Sequence, residues 1–122
     1  MRYLITIKAA ENTPHSPDLD EAVGRLSREM AEAGVLLEAA GLAPSGMGAR
    51  LRLNGDKLVL IDGPVVPTQE VIGGYAVLNA SSKAEAIELG RTFMQLHADI
   101  LGPSFEAECE IRQVSDAPGG RP

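Results

Sequence analysis

Tryptophan is absent from the chain, and aromatic residues make up only 3% of it. Proteins that hold single-stranded nucleic acid stack its bases on aromatic rings, so the composition argues against that class. Basic residues are also outnumbered. Eleven Lys and Arg stand against 17 Asp and Glu, a formal net charge of -6, whereas a phosphate backbone selects basic surfaces. Cys109 is the one cysteine, which leaves neither an internal disulfide nor a cysteine metal cluster. His15 and His97 are the two histidines and show no HxxxH-type spacing, so no metal and no cofactor are expected. No hydrophobic run approaches the roughly 18 residues that span a bilayer. The N-terminus, Met1-Arg2-Tyr3-Leu4-Ile5, enters a strand pattern without the anatomy of a signal peptide. These absences describe a cytoplasmic protein with neither nucleic acid nor membrane as partner.

What remains is ordinary globular material. The 122 residues are 44% hydrophobic and 23% charged, enough for one domain with a single core. Residues 2–8 alternate Tyr3, Ile5 and Ile7 against Leu4, Thr6 and Lys8, the period of a strand. Residues 10–17 contain two prolines and His15 and read as a loop. Ser16-Pro17-Asp18 then starts a helix, with a hydroxyl for the N-cap and proline at the first helical position. Leu19, Ala22, Val23, Leu26, Met30 and Ala33 form its apolar stripe, and Gly34 ends it. Residues 35–42 read as a second strand. Runs on either side of Asn54-Gly55-Asp56 predict a hairpin, because Asn and Gly tolerate the positive φ of tight turns.

The next stretch organises the chain. An apolar run, Lys57-Leu58-Val59-Leu60-Ile61, stops at Asp62-Gly63-Pro64; after Thr68-Gln69-Glu70, the pair Gly73-Gly74 opens a second run through Tyr75 to Asn79. Apolar residues at successive positions there describe a strand covered on both faces. Ser82-Lys83-Ala84-Glu85 is a capping box and predicts a helix to about residue 97. A last strand places Phe105, Ala107, Cys109 and Ile111 on one face and Glu106, Glu108, Glu110 and Arg112 on the other. The domain covers residues 1–114, and residues 115–122 read as a flexible tail.

Without its hairpin, the order is the split β-α-β of α+β, ferredoxin-like folds. Two helices on one sheet face leave the other, with Leu4 and Thr6, uncovered. A twofold homodimer with sheets packed face to face resolves this.

Asp62-Gly63-Pro64, Thr68-Gln69-Glu70 and Gly73-Gly74-Tyr75 together resemble the signature of the DGPF branch of YCII-related proteins. Gly34-Val35-Leu36, Gly41-Leu42-Ala43-Pro44 and Glu110-Ile111-Arg112-Gln113-Val114 extend the resemblance over roughly residues 1–114. It implies a dimeric α+β barrel of ferredoxin-like protomers, and a bacterial setting in which members often accompany extracytoplasmic-type sigma factors. The wider group is thought to include enzymes that move protons with a His-Asp pair. This chain departs from the pattern at Val65, Pro67 and Gln69, where phenylalanine, glutamate and lysine are usual. Its first helix also carries no histidine, so no dyad carries over.

Asp62 is the leading functional candidate. At the end of an apolar strand a carboxyl is partly desolvated, which raises its pKa toward general-base use; equally, it can pin the turn by accepting from N–H groups near Thr68. Gly63 and Pro64 shape that loop, and Tyr75 would bring its hydroxyl to the edge of a cleft. Thr68 is either an N-cap or a ligand contact. Glu70 is either a second carboxylate beside Asp62 or a solvated one, and His15 either a proton-transfer partner or a solvated loop residue. His97 reads as a partner of the helix dipole. Three functions follow: a dimeric small-molecule-binding or accessory module with a cleft bordered by Asp62, Gly63, Pro64, Thr68 and Tyr75; a lyase- or isomerase-type enzyme using Asp62 with His15 or Glu70; and an interaction protein for another regulator. Few titratable groups converge, which favours binding over catalysis.

Overall fold

The computed structural model describes residues 1–64 and 69–115. The expected tail and Thr68 lie outside them, Ser115 excepted. Strand β1 spans Arg2–Ala10 and helix α1 Pro17–Glu32. β2 spans Leu36–Gly41, a single 3-10 turn Ser45–Met47, β3 Ala49–Asn54 and β4 Lys57–Asp62. β5 spans Glu70–Asn79, α2 Lys83–Leu101 and β6 Ala107–Gln113. The class is α+β. Four strands form an antiparallel sheet in the order β2-β5-β1-β6, and β3 pairs with β4 in a separate two-stranded ribbon.

Local chemistry accounts for the helix limits. The Ser16 hydroxyl accepts from the Leu19 N–H at 3.2 Å and caps α1. At the other end Gly34 N–H donates to Ala31 C=O and Val35 N–H to Met30 C=O, at 3.0 and 2.9 Å. That pair of bonds is a Schellman motif, and it satisfies carbonyls the helix leaves open. The Ser82 hydroxyl likewise accepts from the Glu85 N–H. The Glu85 carboxylate accepts from Ser81 rather than closing the full capping box. α2 continues four residues past the expected end, because nothing interrupts it before Gly102 and Pro103.

α2 lies close on the sheet at Gly90. A Cβ there would come within 2.9 Å of Ile111 Cδ1 on β6 and 3.6 Å of Ile5 Cδ1 on β1. The helix-side face of the sheet is thereby fixed as Ile5, Ala76 and Ile111, which register with one another across the ladders. Tyr3, Ile5, Leu78, Ala80 and Ala86 are its buried core. The opposite face presents Leu4, Thr6, Tyr75 and Val77, with Glu38 on one edge strand and Glu108, Glu110 and Arg112 on the other. Leu4, Tyr75 and Val77 are half-buried, so within the protomer β5 is covered on one face only.

β5 also begins earlier than expected. Ile7 pairs with Gly74 but Lys8 with Ile72, so Gly73 is an extra residue on β5. This is a β-bulge. The ladder passes through the glycine pair instead of starting at it.

The β3–β4 ribbon turns through Gly55 and Asp56, with Asn54 paired to Lys57. Only Gly55 takes positive φ, 64°; Asn54 does not. Leu51 registers with Leu60 and Leu53 with Leu58, so one face carries four leucines, continued at its base by Ala49 and Asp62. Those leucines are 61–69% exposed. Full burial of one such side chain is worth about 1.5–3 kcal/mol, most of which this face forgoes.

Candidate functional site

Glu11, Asn12, Leu42, Ala43, Pro44, Gly46, Pro64, Val71, Ile72 and Gly73 line a cleft of about 520 Å³. Three chain segments meet there: the turn after β1, the passage from β2 through the 3-10 turn, and the base of the hairpin beside the β5 bulge. The bulge shapes one wall. Gly73 C=O, turned out of the β1 ladder, accepts from the Leu42 N–H at 2.9 Å. Gly46 approaches the Pro64 ring, since a Cβ there would lie 3.8 Å from the Pro64 Cβ.

Glu11 is the one ionisable side chain in this lining among the described residues. Its carboxylate accepts from the Ser45 N–H at 2.7 Å and, by a short contact, from the Ser45 hydroxyl. Those donors, the hydroxyl first, hold the Glu11 carboxyl below its usual range, slightly opposed by desolvation. Two acceptor oxygens have further lone pairs. A carboxylate that stays ionised at neutral pH in a largely apolar lining therefore suits a ligand with an N–H or O–H donor or a positive charge.

Asp62 ends β4, opposite Ala49, and its side chain is exposed. Gly63 takes φ 101°, open to glycine at little cost, and its N–H donates to Gly48 C=O at 3.3 Å. This continues the hairpin ladder one step and delivers Pro64 to the cleft. Glu70 is exposed at the start of β5, opposite Ala10. His15 is exposed too, with Nε2 3.2 Å from Asp20 Oδ2 on α1. Among the described residues neither His15 nor Glu70 is bonded to Asp62. Tyr75 sits on the helix-free sheet face, where its hydroxyl bonds to the Glu38 carboxylate; that bond and the Glu38 charge raise the phenol above its ordinary value.

The histidine expected to answer the helix dipole is instead buried. His97 Nδ1 lies 2.9 Å from the Phe93 C=O, so that nitrogen carries the proton and donates. Its ring packs 4.5 Å from Phe93 and 6.0 Å from Phe105. Phe105 precedes β6 instead of belonging to it, and covers the helix from outside. Cys109 is half-buried, and desolvation pushes its thiol up, as befits a core residue and not a nucleophile.

Comparison with known proteins gives this arrangement a lineage. The model of the YCII-related domain matches residues 1–99. The chain belongs to the YCII-related family. An uncharacterized protein of Rhizobium meliloti (strain 1021) is 32% identical over 80 residues, 62% of this chain and 64% of that protein. The YCII-related match takes in β1 through most of α2, and with them every wall of the cleft. It stops short of β6.

A second groove, of about 590 Å³, runs along α2 between Arg91 and Ile100. It is lined by one helix alone, without convergent loops, and a single helix flank closes no site. No helix among the described residues is long and apolar enough to cross a membrane. No group of three or more His, Cys, Asp or Glu among them could hold a metal ion.

Sequence reasoning placed Pro64 at the cleft and missed Glu11. One signal was available: an acid directly after a strand, in a loop already recognised as such, is positioned as Asp62 is.

Proposed function

We propose that this YCII-related protein is a dimeric small-molecule-binding or accessory module of the bacterial cytoplasm, with its ligand in the cleft between Glu11 and the Asp62-Gly63-Pro64 loop. The observation that carries the reading is the 520 Å³ recess in which Pro64 and the ionised Glu11 share one lining. Apolar walls supply affinity and one fixed acceptor supplies orientation, the usual division of labour in small-ligand sites. The ligand class is a compact apolar body bearing an amine or hydroxyl. Pro64 lines the site and Asp62 and Gly63 lead the chain to it, while Tyr75 and Glu38 belong to the helix-free sheet face.

The protomer is ferredoxin-like with an inserted hairpin, a reading supported by the strand order β2-β5-β1-β6. Two protomers pack their helix-free sheet faces together as a dimeric α+β barrel. Half-buried Leu4 and Val77 at the centre of that face support this. A proton-transfer reaction through Asp62 needs His15 or Glu70 beside it. His15 is engaged with Asp20 instead, so binding is the function carried forward.

The test is crystallographic. Crystals soaked with a panel of cyclic amines, alcohols and their carboxylate counterparts should show amine or alcohol density between Glu11 and Pro64. Density confined to the α2 groove, or only carboxylates in the cleft, would contradict the proposal.

A further inference from the structure

We infer that the leucine face of the β3–β4 hairpin packs against a second copy of this chain, extending the sheet-to-sheet contact of the proposed dimer and covering Asp62. The inference rests on that dimer and adds to it a second contact region.

The array of Leu51, Leu53, Leu58 and Leu60 is two by two, in register, and exposed throughout. A contiguous apolar face of this kind on a soluble domain marks an interaction surface. β3 and β4 pair only with each other among the described residues, so the protomer itself does not enclose the array.

Two arguments name the occupant. The first is the make-up of the face. By the ladder register Arg50, Arg52 and Lys57 stand on the opposite side of the ribbon, so the leucine face carries no basic side chain and only Asp62 at its base. Such a face suits an apolar surface that already belongs to the proposed dimer.

The second argument is area. Strands rise about 3.4 Å per residue and lie about 4.8 Å apart, so the four-stranded face covers roughly 500 Å² and the hairpin face roughly 200 Å² in projection. A stable interface takes about 800 Å² from each partner. The hairpin alone is far too small to hold a partner. The sheet alone falls short, and the two together approach the requirement. A twofold axis also suits a patch that must meet its own kind.

Asp62 occupies the base of the same face as the leucines, by the register that pairs it with Ala49. Contact across this face therefore takes the exposed Asp62 carboxylate out of bulk water.

The experiment combines sedimentation equilibrium with hydrogen exchange on the full chain. The wild type should dimerise, and amides of β3 and β4 should gain protection as concentration rises. The variant Leu51→Lys/Leu60→Glu keeps a complementary pair across the ribbon, so the hairpin can still form. It should lose that protection and weaken association about thirtyfold or more, as removal of central interface anchors does. Should this variant misfold, the two-concentration exchange measurement on the wild type decides without it. A variant that dimerises as the wild type does, with unchanged exchange, overturns the inference and leaves the sheet-to-sheet dimer standing. Hairpin amides equally protected at all concentrations in a dimer also overturn it, since the cover would then come from within the protomer. A monomeric wild type overturns both readings.

Discussion

The carboxylate of Glu11 meets the backbone N–H of Ser45 at 2.7 Å, across 34 residues of chain. The contact ties the end of β1 to the 3-10 turn before the hairpin, and so holds two walls of the cleft at a fixed spacing. Its donors are a main-chain amide and a hydroxyl, neither of which titrates with it. The pair therefore responds to pH through Glu11 alone.

That gives a signed expectation. The Glu11 carboxyl is lowered from 4.5 in the folded state, so its contribution to stability is complete above that value and is lost as pH falls through the lowered one. Melting temperatures of wild type and Glu11→Gln should differ most at neutral pH and converge in acid. A difference that grows on acidification would contradict the assignment.

Tyr75 titrates in the opposite sense. Its bond to Glu38 raises the phenol above 10.0, so the stabilising contact is present below that value and lost as pH rises through the raised one. In a spectrophotometric titration, Glu38→Gln should bring one tyrosine transition to lower pH, and Tyr75→Phe should remove it.

Gly90 is a packing requirement. In Gly90→Ala the new methyl meets the Ile111 Cδ1 at 2.9 Å. Overpacking costs about 1–3 kcal/mol, while alanine in a helix recovers about 1 kcal/mol over glycine. The substitution should destabilise on the order of 1 kcal/mol by urea unfolding. Gly90→Ala/Ile111→Val removes the offending carbon and should be more stable than Gly90→Ala.

His97 is held by packing as well as by one hydrogen bond. His97→Ala empties the space between Phe93 and Phe105. It should cost roughly 2–4 kcal/mol, the range for large buried side chains cut to alanine, read by the same unfolding measurement.

Much of the fold was legible because its signals are local. Ser16 and Gly34 mark both ends of α1 within a few residues of the contacts they make. Leu51, Leu53, Leu58 and Leu60 alternate around a turn and so declare a ribbon with one apolar face. The alternation of Ile111 and Cys109 against Glu110 and Glu108 did the same for β6. What was hidden depends on distant partners. A glycine pair at a run's start looks like a boundary, and only the pairing with Ile7 and Lys8 turns Gly73 into a bulge inside a longer strand. His97 read as a partner of the helix dipole because Phe105, which packs on its ring, comes from beyond the helix. Glu11 shows its role only when Ser45 is brought to it. Asp62 stood out by sequence context, yet the strand it ends belongs to a ribbon outside the main sheet, so context did not bury it.

The most direct test of the central claim is amide chemical-shift mapping of the full chain with cyclohexylamine, cyclohexanol and cyclohexanecarboxylate as probes. The account expects the amine and the alcohol to shift Asn12, Leu42, Ser45 and Gly73, to do so weakly in Glu11→Gln for the amine, and the carboxylate to shift none of them. Perturbations confined to residues 91–100 on α2, or a carboxylate that binds at Ser45 and Gly73 as well as the amine does, would contradict it.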